Sequence, residues 1–335
     1  MRTLFIGGTG TISLEITRLL SSMGEELYLL NRGNNAELVP KNVKTIKADI
    51  NDEESVKKIL SGMTFDVVVD FIAFVKPQLE RDYRLFKDIT KQFIFISTAS
   101  AYQKPPVSFP ITESTPVANP FWKYSRDKIE CENYLMDLFR SSGFPVTIVR
   151  PSHTYGDQSN VLGGWNVFSR IQRELEVIIP GDGTTLWTLT HSRDFAKAFA
   201  GLLGNPHAIG DTFHITSDEA LTWNQIYQIH ADALGVPLRP FHIATDFLSA
   251  LSKDDYEGSY KGDKSNNGVF DNSKIKRVVP GFVATTRFDK GVLPIAEYFL
   301  ANKELQKPDN AFDKWCDAVI AAQREVLEKL RKLQG

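Results

Sequence analysis

Tyr124 and Lys128 lie four residues apart in Tyr124-Ser125-Arg126-Asp127-Lys128, a stretch free of helix breakers. On a helix, that spacing puts both side chains on one face. An ammonium beside a phenol favours phenolate, so Lys128 would draw the Tyr124 pKa towards the working pH. Tyr124 could then exchange a proton with an alcohol or a ketone. Taken alone, the pair reads more readily as a surface contact on an amphipathic helix. A second group changes its weight: Thr98 ends the run Phe95-Ile96-Ser97-Thr98, where a hydroxyl can hydrogen-bond a reacting oxygen. A third is Gly7-Gly8-Thr9-Gly10-Thr11-Ile12-Ser13, with glycines at Gly7 and Gly10. A diphosphate must approach the backbone closely, and a following helix offers it unpaired N–H groups and a positive end.

These residues need elements to position them, and the first 150 residues supply an alternating series. The apolar runs Thr3–Ile6, Leu27–Leu30, Val43–Ile46, Val67–Val69, Phe93–Ile96 and Val146–Val149 read as strands. Between them, Ile12–Met23, Glu53–Leu60, Leu79–Ile89 and Lys123–Arg140 carry helical spacing. Such alternation predicts an α/β fold, a Rossmann-type doubly wound parallel sheet with right-handed crossovers. Gly7–Gly10 then falls between the first strand and first helix, which raises a weak motif to a strong one.

The second half is less regular. Helices are expected over Val167–Leu175, Arg193–Leu203 and Trp223–Leu234, with a returning strand at Thr212–Ile215. The predicted organisation is a dinucleotide-binding domain of residues 1–150 plus about 181–215, and a smaller α/β substrate domain of about 151–180 and 216–300. The polar, Gly- and Asn-rich stretch 253–268 reads as a loop or lid. A C-terminal helix falls within 305–335; its apolar face, Phe312 to Leu333, either packs on its own body or forms a homodimer.

The second strand ends at Asn31, 21 positions after Gly10, where an acid would select NAD through the ribose 2′-hydroxyl. Asn31 has no charge to repel a 2′-phosphate and Arg32 could pair with one, a lean to NADP over NAD. Asn31 could also bond a plain hydroxyl, and Arg32 could stack on adenine. Asp49, ending the third strand, either meets the adenine edge or closes a turn.

The formal net charge of −2 disfavours a protein built around a nucleic-acid backbone or an anionic membrane. Two cysteines, Cys131 and Cys316, exclude a disulfide scaffold and a Cys-based zinc cluster, and no metal is expected. No signal-peptide core or long apolar run is found, so the expected location is the cytoplasm.

Over roughly residues 1–300, the chain resembles the extended short-chain dehydrogenase/reductases, in the branch of NAD-dependent epimerases and dehydratases. The resemblance rests on Gly7-x-x-Gly10, Ser97-Thr98-Ala99-Ser100-Ala101-Tyr102, Tyr124-x-x-x-Lys128, Arg150-Pro151-x-x-x-Tyr155-Gly156, Pro180-Gly181-Asp182-Gly183 and His191-Ser192-Arg193-Asp194. It implies that Thr98, Tyr124 and Lys128 are catalytic, Lys128 also holding the nicotinamide ribose. It implies a cofactor set of Gly7, Gly10, Thr11, Ile12, Asn31, Arg32, Asp49, Ile50, Lys128 and Pro151. Substrate contacts are expected from Ser100, His153, Trp187 and Asp194; His153 also reads as a core histidine, and Asp194 as a cap or ion-pair partner.

Departures narrow the chemistry. Ser13 stands where the family has a third glycine. Ala99-Ser100 follows Thr98 where 4,6-dehydratases have Asp-Glu, which argues against a dehydratase. His153 and Leu186-Trp187-Thr188 replace residues that hold the nucleotide in nucleotide-sugar epimerases. The implied activity is hydride transfer at a hydroxyl or keto group of a sugar or sugar-nucleotide-like substrate. The segment 66–105, with Leu186–His191, also looks like the chloroplast stem-loop RNA-binding proteins, which lack an intact Tyr-x-x-x-Lys. An RNA-binding or regulatory protein on a retained dinucleotide fold is therefore the alternative.

Overall fold

The computed structural model describes residues 1–159, 161–251 and 256–333. Its strands are β1 (Arg2–Ile6), β2 (Glu26–Asn31), β3 (Lys44–Lys47), β4 (Val67–Asp70), β5 (Phe93–Ile96), β6 (Val146–Pro151), β7 (His153–Tyr155), β8 (Val177–Pro180), β9 (Leu186–His191), β10 (Asp211–Ile215), β11 (Ala220–Thr222) and β12 (Pro240–Ile243). Its α-helices are α1 (Thr11–Ser22), α2 (Glu53–Ile59), α3 (Lys76–Phe86), α4 (Lys123–Ser142), α5 (Trp165–Gln172), α6 (Ser192–Ala200), α7 (Trp223–Leu234), α8 (Thr245–Leu251), α9 (Ser273–Val278), α10 (Phe288–Ala301) and α11 (Asn310–Lys332).

The chain divides into two units. The first holds residues 1–156, 188–220 and 268–286. Its seven-stranded sheet runs β10-β6-β5-β4-β1-β2-β3, with every neighbouring pair parallel. Strand order reverses between β1 and β4, and open α/β sheets bind ligands outside the carboxyl ends at such a switch point. Side chains alternate between two cores. Phe5, Leu29, Val69, Ile94 and Val149 face α1 and α6 on one side. Leu4, Ile6, Tyr28, Val68, Phe93, Phe95 and Ile148 face the other side, with Val56, Leu79 and Leu135 from α2, α3 and α4. Burial on both faces explains why the strands read as continuous apolar runs.

The second unit holds residues 157–187, 221–267 and 287–335. Strands β8 and β12 pair in parallel, Val177 opposite Pro240. Trp165 stacks on Phe299 at 5.6 Å, and Phe168 meets His230 at 5.2 Å. Burial draws the His230 imidazole down to about 4, so it sits neutral in this core.

The units interleave along the chain, with other boundaries than the motifs suggest. Residues 268–286 belong to the first unit and 181–187 to the second. Asn272 explains the first difference: its amide donates to the carbonyls of Thr216 and Ser217. Helix α10 gives no clear signal in the sequence because Gly291 and Pro294 interrupt its pattern. The stretch 253–268 reads as a loop or lid, yet Glu257–Lys264 is π-helical; residues 253–255 lie outside the described residues. Among the described residues, no helix is long and apolar enough to cross a membrane.

Candidate active site and dinucleotide pocket

The loop after β1 is glycine because its backbone demands it. Gly7 has φ +105° and Gly8 φ +97°, and a Cβ on Gly8 would come within 2.5 Å of Leu29. Gly10 is the N-cap of α1, whose first turn carries no acidic residue to neutralise its positive end. Ser13 does more than fill the place of a third glycine. Its buried hydroxyl accepts from the Gly10 amide at 2.9 Å and closes the first turn.

Beside this loop lies a cavity of about 420 Å³, bordered by Gly7, Thr9, Asn31, Arg32, Asp49 and Ile50, with Ile72 and Phe74 beyond β4. Gly10, Thr11, Ile12, Lys128 and Pro151, also expected to hold cofactor, do not border it. The Asn31 amide is spent on the fold: it donates to the Gly7 carbonyl at 3.1 Å and accepts from the Gly33 amide at 2.8 Å. Asp49 closes a turn, accepting from the Asn51 amide at 2.9 Å. Arg32 is exposed, and no ion pair engages it among the described residues. A glycine cradle, an unneutralised helix end and a polar cavity at the switch point fit a dinucleotide.

Helix α4 brings Tyr124 and Lys128 onto one face. The Tyr124 ring is half-buried between Trp122 (5.0 Å) and Phe74 (6.2 Å). The Lys128 ammonium is buried and donates to the carbonyls of Ala73 at 2.7 Å and Ile96 at 2.8 Å. It thereby spans the ends of β4 and β5. Burial draws it down to about 8, against the opposing pull of Asp70.

Thr98 follows Ser97, two residues past the last residue of β5. It caps the short turn Ala99–Ala101 by accepting from the Ser100 amide at 3.2 Å. The Thr98 hydroxyl lies 3.0 Å from that of Ser100, which lies 2.7 Å from that of Ser125. Ser100, expected at the substrate, is thus a buried link in a hydroxyl chain.

Other expected substrate residues are placed differently. Asp194 is fully buried and committed: its carboxylate holds Lys197 at 2.7 Å and the Thr286 amide at 2.7 Å. It ties down the 285–286 segment. Trp187 is buried in the second unit against Trp223 at 5.6 Å. His153 is half-buried in β7, opposite Leu189 of β9.

Two buried clusters are built on acids outside these motifs. Glu132, one turn beyond Lys128, accepts from Arg150 and from the Ser97 hydroxyl, clamping α4 to β5 and β6. The spacing Lys128-x-x-x-Glu132 is the signal that could have found it. Under β4, the Asp82 carboxyl lies within hydrogen-bonding reach of Asp70, and no donor reaches either Oδ2 among the described residues. Burial and the Asp70 carboxylate push the Asp82 pKa well above the usual range.

The model of the NAD dependent epimerase/dehydratase family matches residues 3–216. The chain is 23% identical over 289 residues to 2′-dehydrokanamycin reductase of Streptomyces kanamyceticus, covering 84% of this chain and 80% of that one. It is 30% identical over 254 residues to the chloroplast stem-loop binding protein of 41 kDa b of Arabidopsis thaliana, covering 70% of this chain and 64% of that relative. UDP-glucuronic acid 4-epimerase of Bacillus cereus, solved with UDP-glucuronic acid and NAD, shares the fold with a TM-score of 0.74 at 18% identity, covering 90% and 99% of the two chains.

Proposed function

The chain belongs to the NAD-dependent epimerase/dehydratase family, and on that premise we propose that it is an NAD(P)-dependent oxidoreductase or epimerase acting on a hydroxyl or keto group of a carbohydrate-like substrate. The observation that carries this reading is the Lys128 ammonium, held at the ends of β4 and β5 one turn from Tyr124. Two of its protons are spent on carbonyls, and the third remains for a ribose hydroxyl. Gly7, Thr9, Arg32 and Asp49 border the cavity that would receive the adenosine end.

When bound, a nicotinamide would accept hydride from a carbinol carbon or supply it to a carbonyl carbon. Tyr124 takes the hydroxyl proton as the carbonyl forms, or returns it on reduction. Lys128 favours the phenolate electrostatically. Thr98 orients the reacting oxygen through its hydroxyl, itself steadied by Ser100. The reductase among the relatives supports reduction of a sugar ketone, and the sugar-nucleotide epimerases support a two-way exchange.

The test is turnover of reduced cofactor with a panel of keto sugars, following its near-ultraviolet absorbance. Tyr124→Phe should lose at least about a hundredfold in kcat, the range of a general acid–base contribution, while still binding cofactor. Equal turnover by wild type and Tyr124→Phe sinks the assignment. Tight, salt-sensitive RNA binding without turnover would favour the RNA-binding alternative instead.

A further inference from the structure

The second unit holds an open cavity of about 820 Å³, bordered, among the described residues, by that unit's own side chains. Its wall is mostly apolar, aliphatic side chains standing beside the aromatic rings of Trp223, Tyr227, Tyr256, Tyr260, Phe312 and Trp315. Cavities of roughly 300–1,000 Å³ hold small organic ligands, and apolar walls with few polar groups are their usual lining.

The polar groups on this wall are mostly committed to the protein. Arg170 donates to Asp313 at 2.9 Å, to Asp317 at 2.6 Å and to the Glu176 carbonyl. Asp309, a carboxylate on the same wall, is spent on the protein: it accepts from Asn166 at 3.0 Å and from the Ala311 and Phe312 amides that open α11. The Trp223 indole donates to the Lys264 carbonyl at 3.0 Å, and the Tyr227 hydroxyl to the Ile178 carbonyl at 3.3 Å. Lys264 differs. It borders the cavity, yet no hydrogen bond or ion pair engages its ammonium among the described residues. Lys261, in the same π-helical run, is paired with Asp246 at 3.0 Å. A nucleoside diphosphate would bring more negative charge than one ammonium balances, because Arg170 already faces two carboxylates. Aromatic walls and a single uncommitted cation call for flat rings bearing one negative charge.

We propose that this cavity binds a ring-bearing amphipathic monoanion, its rings between the aromatic side chains and its carboxylate at Lys264. The proposal concerns binding by the second unit and does not depend on the reaction proposed above.

The experiment titrates the full chain with 2-naphthoate, its neutral analogue 2-naphthylmethanol, and UDP, by calorimetry and tryptophan fluorescence. The expected result is one 2-naphthoate per chain, bound at least tenfold tighter than 2-naphthylmethanol. Lys264→Met should erase that difference, and Ser259→Phe, which sets a bulky ring into the cavity, should weaken both at least tenfold. Thermal unfolding of each variant establishes that it is folded before it is titrated. Absence of saturable 2-naphthoate binding overturns the proposal. So does equal binding of 2-naphthoate and its neutral analogue, wild-type binding by folded Ser259→Phe, or displacement of 2-naphthoate by UDP at lower concentration.

Discussion

Lys128 holds its ammonium 6.0 Å from the centre of the Tyr124 ring, one helical turn away. The same ammonium is buried and drawn down to about 8. If the ribose is bonded by the charged form, cofactor affinity should be level below pH 8 and fall as the pH rises through it. Lys128→Met should weaken cofactor binding about tenfold at neutral pH, the scale of one charge-assisted hydrogen bond, and flatten the profile. Fluorescence titration with NADH and NADPH across pH reads both effects. A wild-type profile retained in Lys128→Met would remove Lys128 from the cofactor site.

Glu132 and Arg150 form a two-pronged ion pair, 4% and 6% exposed, with Arg150 also 4.7 Å over the Tyr102 ring. Removing one partner leaves the other charge buried and unpaired. Glu132→Ala should cost about 3–5 kcal/mol. Glu132→Ala with Arg150→Met should cost less than Glu132→Ala alone, because no charge is then stranded. Denaturant unfolding of Glu132→Ala, Arg150→Met and the double variant decides it; a double variant as unstable as the sum of its parts would mean the pair matters through packing alone.

Local signals make the fold legible and mark Thr98, Tyr124 and Lys128 as candidates. Alternating apolar runs mark the sheet, and the glycines mark the loop after β1. The side chains that hold those parts in place are not legible, because their partners are distant in sequence. Arg150 meets Glu132 only once β6 lies beside α4. Asn31 reads as a ribose contact in the sequence, but β2 and the Gly7 loop share its amide in the fold. Asp194 reads as a cleft residue, but the 285–286 segment folds back onto it.

Asp82 and Asp70 predict an unusual pH response. An acid whose folded pKa is raised favours folding while protonated, and that contribution is lost as pH climbs from the ordinary carboxyl range towards the folded value. Asp82→Asn keeps an acceptor for Arg81 and supplies a donor towards Asp70. It should therefore match wild type in acid and exceed it in stability at neutral and alkaline pH. Thermal unfolding over that range checks this; lower stability at every pH would mean that Asp82 is needed as a carboxylate.

Arg32 and Asn31 divide the choice between NAD and NADP unequally. The Asn31 amide is committed at both ends, whereas exposed Arg32 borders the cavity unpaired among the described residues. A 2′-phosphate would therefore be read by Arg32. Arg32→Ala should weaken NADPH binding about tenfold, as loss of one charge-assisted contact does, and leave NADH within about twofold. Asn31→Asp should not act as a clean switch to NADH. It sets a carboxylate against the Gly7 carbonyl in place of a donor, so the loop itself is loosened and both cofactors should bind more weakly. Titration of both cofactors against both variants separates the roles, and an unchanged NADPH-to-NADH ratio in Arg32→Ala would place the discrimination elsewhere.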